Sequence, residues 1–351
     1  MSHQCSLLPS GRAFPVDEGE TILQAALRAG VVLPYGCKDG ACGSCKARLM
    51  EGQVDYGDYR RKVLTDEERE QGGVLLCCAT ALTDVVVKAR VVAAEGMIPV
   101  RKMPCRVQSI TRAATDVAIV KLQLPAAEKF DYLAGQYIDI LLKDGKRRSY
   151  SMACAPHQEN VIELHIRHTP GGAFTDALFG SGTPSANAVK EKDILRFEGP
   201  QGTFFLREDS AKPMILLASG TGFAPIKALV EYAAMKNIRR PMRLYWGGRR
   251  PHDLYQSDLA LQWEKTHQDF KFIPVVSDAL PEDQWTGRTG FVHQAVMQDF
   301  PDLSGYQVYA CGAPIVVQSA LRDFVAQCKL PEDEFFADAF TTAADLAKQS
   351  A

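Results

Sequence analysis

Cys37, Cys42 and Cys45 sit within "YGCKDGACGSCKARL", and the adjacent Cys77 and Cys78 follow in "VLLCCAT", so the chain carries the spacing C-x4-C-x2-C…C. A loop this rich in thiols and glycines cannot pack a core. Thiolates at this spacing are the signature of a [2Fe–2S] centre. Gly36, Gly40 and Gly43 are expected to allow the turns that wrap a small inorganic core. They also let backbone N–H groups reach its sulfides, offsetting negative charge and setting the potential. Structural zinc is the rival, but it usually takes its ligands from two short C-x2–4-C knuckles. Here three ligands share one loop and the fourth stands apart. Cys5, Cys105, Cys154 and Cys328 have no partner at useful spacing and read as small apolar fillers.

Four further stretches have the composition of anion or ring sites. In "RSYS" a strand would show Arg148 and Tyr150 on one face and Ser149 and Ser151 on the other. "RHTPGGAFTDALF" sets Gly171, Gly172 and Thr175 at the start of an apolar-periodic helix, and a Gly-rich turn into a helix N-terminus is an anion site. "SGTGFAP" lies between an apolar strand and a helix, and that position gives a lone G-x-G its meaning. "YACGAP" puts Cys311 and Gly312 at a strand's C-terminal end, where ligands bind in open α/β sheets.

The elements around these residues change character twice. Near the N-terminus, "CSLLPSGRAFPVDEG" reads as a hairpin. "ETILQAALRAG" reads as a short helix with Ile22, Leu23, Ala26 and Leu27 on one face and Gly30 as its stop, and "DVVVKARVVA" as a closing strand. Residues 103–206 then alternate in short segments such as "VAIVKLQL", "QYIDILL" and "VIELHIRH", as a β-barrel would. From 213 on, apolar strands ("PMILLAS", "MRLYWGG", "FKFIPVVS", "YQVYACG") alternate with helical stretches, predicting a doubly wound parallel sheet. The expected order is an N-terminal cluster domain over 1–93, a linker over 94–102, a barrel over 103–207 and an α/β domain over 208–351.

The bulk composition narrows the partners. The chain has 351 residues with a net charge of −2, 46% hydrophobic and 23% charged. That length suggests two or three domains, and the charge balance argues against nucleic acid or an acidic membrane as the main partner. Short basic runs such as "RRK" at 60–62 read as a solvated face. The start lacks the basic and apolar regions of a secretory signal, and no apolar stretch approaches the roughly 20 residues of a membrane span. A cytoplasmic protein with reduced cysteines is the expectation.

The cysteine loop, with its flanks, resembles plant-type ferredoxins of the β-grasp fold. They place the last ligand before x-Ala, so "CCA" makes Cys77 the ligand and Cys78 a bystander. The rest resembles the ferredoxin–NADP⁺ reductase superfamily, whose Greek-key barrel binds FAD through R-x-Y-S. The resemblance implies that Arg148 neutralises the FAD pyrophosphate, Tyr150 packs on the isoalloxazine ring, and Ser151 hydrogen-bonds near flavin N5, where hydride arrives. The family's G-G-x-x-S/T falls on Gly171, Gly172 and Thr175 at the pyrophosphate, and "EGPQGTFFL" is its usual barrel exit. Its G-T-G-x-x-P implies a nicotinamide dinucleotide held at Gly220, Thr221, Gly222 and Pro225. C-G-x-P implies Cys311 and Gly312 beside the nicotinamide. Such reductases often lay a terminal aromatic over the flavin; Phe340 in "EFFADAFTTA" is the candidate, with Phe335 and Phe336 as core alternatives. "WGGRRPHDLY" offers Arg249 and Arg250 where a 2′-phosphate needs an arginine, so NADPH stays open. Relatives with G-x-R-x-x-x-D-L-Y mostly use NADH, which is the expectation.

The whole order, ferredoxin then flavin reductase, is similar to the reductase components of phenol, benzoate and methane oxygenases. "PYGCKDGACGSCK", "KRRSYSMA" and "YWGGRR" look most similar to reductases that feed a pyridoxamine-phosphate dehydrase in 3,6-dideoxy sugar synthesis. The resemblance implies hydride from NADH to FAD, single electrons through the [2Fe–2S] cluster, and a partner enzyme as acceptor. That acceptor is a pyridoxamine- or pyridoxal-phosphate sugar dehydrase, or an oxygenase. A [2Fe–2S] redox sensor that binds a regulator is the reading from another class. It predicts no NADH turnover, and the retained hydride-path residues speak against it.

Overall fold

The computed structural model describes residues 2–92, 98–156, 160–181 and 188–340. The described residues divide into two compact units, one up to Ile98 and one over Pro99–Asp338.

In the first unit a five-stranded sheet runs in the order Ala13–Val16, His3–Leu8, Val85–Lys88, Lys46–Glu51, Gly73–Leu75. The hairpin is present, with His3 opposite Val16, and the closing strand Val85–Lys88 pairs parallel to the first. Across this sheet packs the helix Ile22–Arg28, started by a reciprocal capping box between Thr21 and Gln24. It buries Ile22, Leu23, Ala25 and Ala26. Leu27, expected on that face, is only half-buried. Gly30 ends the helix at φ +72°, a left-handed conformation that glycine adopts without a Cβ penalty. These elements form one core with Cys5, Leu7, Phe14, Leu33, Val74 and Val87, and together they make a β-grasp fold.

The second unit opens with six antiparallel strands in the order Arg147–Ser151, Tyr137–Leu141, Ile194–Gln201, Arg101–Ala114, Val117–Gln123, Val161–Arg167. A bridge between Met152 and Leu164 joins the two ends of this order, turning the sheet into a barrel. Alternate residues point inward, and Val107, Val120, Leu122, Ile138, Ile140, Ile162, Leu164 and Phe197 fill it.

The nucleotide-type sheet follows in the order Arg288–Thr289, Phe270–Val276, Met242–Gly248, Met214–Ser219, Gln307–Gly312, Phe335–Ala339. The pairings from Arg288–Thr289 through Gln307–Gly312 are all parallel. "MILLAS" is buried almost throughout, as a parallel strand covered on both faces requires. Helices Phe223–Met235, Ser257–Thr266, Val292–Asp299 and Pro314–Gln327 pack against it. Two details differ from expectation. The stretch "DLYQSDLALQWEK" is expected as one helix, but the helix begins only at Ser257, because Pro251–Asp253 form a single tight turn whose Asp253 caps Arg249 and Arg250. The stretch read as a tail, Phe335–Ala339, is an edge strand of the sheet. Among the described residues no helix is long and apolar enough to cross a membrane.

Candidate functional site

All ten cysteines are free thiols. In the first unit Cys42, Cys45 and Cys77 are buried and Cys37 is half-buried. They meet as two couples, Cys37 with Cys42 and Cys45 with Cys77. Within each couple one thiol donates to the other. The donation lowers the accepting thiol, Cys42 beside Cys37 and Cys77 beside Cys45 and Cys78, and raises the donors Cys37 and Cys45. Backbone N–H groups also face these sulfurs: Ala41 and Cys42 donate to Cys37 Sγ at 3.4 and 3.3 Å, and Cys37 and Ser44 donate to Cys42 Sγ at 3.4 and 3.5 Å. Among the described residues no three His, Cys, Asp or Glu side chains converge to hold one metal ion. Paired thiols ringed by N–H donors fit the ligand set of a two-iron cluster, which spreads four cysteines over two irons.

The loop's backbone departs from expectation at one glycine. Gly40 and Gly43 lie at φ +71° and +81°, and Lys38 adopts φ +66°, but Gly36 is not among the residues at positive φ. Gly40 is also the tightest approach: a Cβ there would come within 2.7 Å of Cys78 Sγ and 3.0 Å of Tyr59 Cα. Gly40→Ala is therefore expected to distort the loop and lower iron and sulfide content in the purified protein, with Gly30→Ala, where nothing lies within 4 Å, as the control for φ strain alone. Equal cluster content in both variants would refute the steric argument. Cys78 Sγ lies 3.6 Å from Cys77 Sγ and is half-buried.

In the second unit the RSYS residues occupy the edge strand Arg147–Ser151, with Arg148 and Tyr150 half-buried, Arg147 and Ser149 exposed, and Ser151 buried. Arg148 donates only to the Arg147 carbonyl, at 2.7 Å, and no carboxylate pairs with it among the described residues. An unpaired guanidinium of this kind suits an anion. Tyr150 lies against Phe174, ring centroids 5.7 Å apart, which joins this strand to the turn Gly171–Gly172 and the helix Ala173–Phe179. Gly171 has φ +80°. The Thr175 hydroxyl is engaged locally, donating to the Thr169 carbonyl at 2.8 Å and accepting the Thr169 N–H at 3.2 Å. Asp176 accepts from Gly171 N–H at 3.1 Å and contacts His168 Nε2 at 2.8 Å.

The strand order of the nucleotide-type sheet reverses between Met214–Ser219 and Gln307–Gly312, whose C-terminal ends lie side by side. Gly220–Gly222 form a tight turn there, and Pro225 sits buried in the first turn of the helix that follows. Gly222 packs so closely that a Cβ would run into the Cys311 carbonyl and stand 2.8 Å from Gly312 Cα. Gly312, at φ +126°, likewise leaves no room for a Cβ beside Ser219, and Ala313 N–H donates to Ser219 Oγ at 2.8 Å. The two turns thus pack into one cradle at a topological switch point, with Gly220 and Thr221 half-buried at its lip, which fits a dinucleotide.

One residue that the sequence did not single out connects the two halves. Asp338, buried on the last strand, accepts a hydrogen bond from Ser151 Oγ at 3.0 Å. Burial pushes its carboxyl up to about 6, against the opposing Ser151 bond. Cys311 is wholly buried, and burial together with the Asp338 charge pushes its thiol well up. Ser151, Asp338 and Cys311 therefore form one buried group where the barrel meets the sheet. Of the C-terminal aromatics, Phe336 is core, stacked on Tyr309 at 4.9 Å, and Phe335 contacts Phe324. Phe340 is half-buried just after the strand, and the residues after it lie outside the described part. Arg250 is held by Asp283 through two bonds of 2.7 and 2.8 Å, while Arg249 is exposed.

Asp338 gives a pH prediction. Between its ordinary 3.8 and about 6 the folded chain holds a proton that the unfolded chain has lost. This group's contribution to stability therefore rises as pH falls from 7 toward 4, by about 3 kcal/mol in full. The stability advantage of Asp338→Asn over the wild type in denaturant titrations is expected to be largest at pH 7 and to shrink by pH 5. A constant difference across that range would contradict the buried titration.

Three family models match the chain: a 2Fe-2S iron-sulfur cluster binding domain over 6–83, an oxidoreductase FAD-binding domain over 104–206 and an oxidoreductase NAD-binding domain over 216–322. The chain is 44% identical over 340 residues, 97% of its own length and 99% of the relative's, to a Yersinia pseudotuberculosis CDP-6-deoxy-L-threo-D-glycero-4-hexulose-3-dehydrase reductase. It is 36% identical to reductase component 1 of a Comamonas terephthalate 1,2-dioxygenase, covering 97% of this chain and 98% of that one. Among solved structures it is similar to an Amycolatopsis cytochrome P450 reductase, with a TM-score of 0.75, 33% identity, and coverage of 97% and 99%.

Proposed function

The chain belongs to the iron–sulfur flavoprotein reductases, NAD(P)H-dependent oxidoreductases that join a [2Fe–2S] ferredoxin domain to FAD- and NAD-binding domains, and we propose that NADH is its donor and a 6-deoxyhexulose 3-dehydrase its acceptor. The support for that acceptor is the 44% identity, over almost the whole of both chains, to a reductase named for such a dehydrase. The second reading, an oxygenase as acceptor, is supported by the 36% relative from a terephthalate dioxygenase system. The module boundaries we propose are 1–93, 103–207 and 208–351; of the segment 94–102, residues 94–97 lie outside the described part and Arg101 already enters the first barrel strand.

The observation that carries the mechanism is the 3.0 Å bond from Ser151 Oγ to Asp338, which ties the RSYS strand to the nucleotide-type sheet. When bound, the flavin accepts a hydride from the nicotinamide and the cluster passes electrons on singly, so a two-electron donor serves a one-electron acceptor. Arg148 holds the FAD pyrophosphate by charge and a planar fork of N–H donors. Gly171, Gly172 and Thr175 shape the turn beside it, where the Thr175 hydroxyl braces the backbone. Tyr150 presents its ring to the flavin face. Ser151, oriented by Asp338, offers its hydroxyl near the reacting nitrogen. Gly220, Thr221, Gly222 and Pro225 cradle the dinucleotide pyrophosphate, and Cys311 and Gly312 shape the nicotinamide end. Phe340 is the residue we assign to the opposite flavin face. Cys37, Cys42, Cys45 and Cys77 hold the cluster. The Arg250–Asp283 pair leaves that guanidinium already matched to a carboxylate, which favours NADH over a 2′-phosphorylated cofactor.

Reconstitution tests the acceptor. With NADH, a pyridoxamine-phosphate 6-deoxyhexulose 3-dehydrase and its CDP-sugar substrate, the purified protein is expected to support deoxygenation at C3. Support of an aromatic oxygenase, with none of the dehydrase, would decide for the second reading.

A further inference from the structure

The barrel and the nucleotide-type sheet share a buried charge cluster with no part in the site described above. Its centre is Lys227, on the helix Phe223–Met235 directly after the Gly220–Gly222 turn, and only 6% exposed. A lysine ammonium has three N–H donors and no acceptor. Lys227 Nζ has three oxygen partners: two on the barrel, the Ala153 carbonyl at 2.9 Å and Glu163 at 3.2 Å, and one a turn further along its own helix, Glu231 at 2.8 Å. Ala153 lies two residues beyond Ser151, and Glu163 sits on the barrel strand Val161–Arg167.

The cluster continues outward. His165 Nε2 lies 3.0 Å from Glu163 and His165 Nδ1 lies 2.8 Å from the Tyr255 hydroxyl. An ionised Glu163 only accepts, so His165 carries its proton on Nε2 and accepts from Tyr255 at Nδ1. Burial keeps this histidine neutral. Burial also opposes the charge on Glu163, yet His165 and Lys227 outweigh it and hold the carboxyl at about 2.

Ion pairs taken out of water add little net stability, since desolvation offsets attraction. Apolar side chains would fill the same space. What an ammonium supplies instead is direction, because its bonds to Ala153 and Glu163 are satisfied only when the barrel and the helix stand in one arrangement. We propose that Lys227 is a positioning residue whose buried ammonium fixes the flavin-motif segment at Ala153 against the helix of the dinucleotide turn, and so fixes how closely the nicotinamide approaches the flavin. The inference rests on the NADH-to-flavin reading above.

Hydride transfer needs reacting atoms at about 3–3.5 Å, and a displacement of about 1 Å costs roughly 10²-fold in rate. In the FAD-loaded protein, Lys227→Met is expected to slow flavin reduction at saturating NADH by about that factor, while the NAD⁺ dissociation constant stays within about twofold. Hydrogen exchange supplies a readout independent of turnover. The Ala153 amide, bonded to the Glu163 carbonyl at 2.7 Å, is expected to exchange about tenfold faster in the variant. If Lys227→Met does not retain FAD, Glu231→Gln decides: it keeps the ammonium but removes one charge from its shell, and a smaller slowing of flavin reduction at unchanged NAD⁺ affinity is expected. Wild-type flavin-reduction rates and Ala153 exchange in the variant that folds would overturn the proposal. A wild-type protein whose flavin NADH does not reduce would instead overturn the underlying reading, whatever the variants do.

Discussion

Cys42→Ser is expected to erase the visible absorption and the reduced-state EPR signal of the [2Fe–2S] cluster while leaving NADH reduction of the flavin intact. The loss follows from the position of this thiol. Cys42 is one half of a couple with Cys37, and its sulfur accepts N–H groups from Cys37 and Ser44. A serine hydroxyl is a poorer ligand for iron than a thiolate. The retention follows from the cores. The cluster loop packs into the core of the first unit, and the barrel has a separate core built from Met103 to Phe197. Electron delivery to any one-electron acceptor is therefore expected to fall to background, with NADH-driven flavin bleaching near the wild-type rate. Loss of both signals in a soluble, flavin-loaded variant would contradict the modular account.

Gly222→Ala is expected to have the second large effect, on the opposite end of the electron path. The added methyl would collide with the Cys311 carbonyl and stand 2.8 Å from Gly312 Cα. Backbone, unlike the tip of a flexible side chain, yields little, and overpacking of this kind costs about 1–3 kcal/mol or more. The strain falls where Met214–Ser219 and Gln307–Gly312 end together, so the cradle opens before the barrel is disturbed. We expect flavin content to persist and the cluster to remain reducible by dithionite, while flavin reduction by NADH falls roughly 10²-fold, since misplacement of about 1 Å suffices for that. An NADH reaction of normal rate and affinity would show that the two turns do not form one site.

These two sites were legible because their signals are local. Cluster ligands come three to a loop, so their spacing survives in the sequence. The dinucleotide turn is announced by a glycine pair between an apolar strand and a helix. The residues that went unnoticed, Asp338 and Lys227, act across long separations. Asp338 meets Ser151 across 187 residues, and Lys227 reaches Ala153 across 74. A buried lysine or aspartate has no periodicity of its own and is recognisable only once its partners are in place. Local backbone choices also escaped notice. Lys38, not Gly36, takes a left-handed conformation in the cluster loop. The edge strand Phe335–Ala339 was hidden because "EFFADAF" reads equally as a tail until a sheet edge is there to receive it.

The central claim is that one chain converts hydride from NADH into single electrons. Anaerobic titration of the FAD- and cluster-loaded protein with NADH, followed by flavin absorbance and EPR together, tests it most directly. A flavin taking two electrons and a cluster taking one predict complete reduction at about one and a half NADH per chain, with flavin bleaching and the reduced [2Fe–2S] signal both present at the end point. Flavin that bleaches fully while the cluster stays oxidised, and stays so until dithionite is added, would contradict the account.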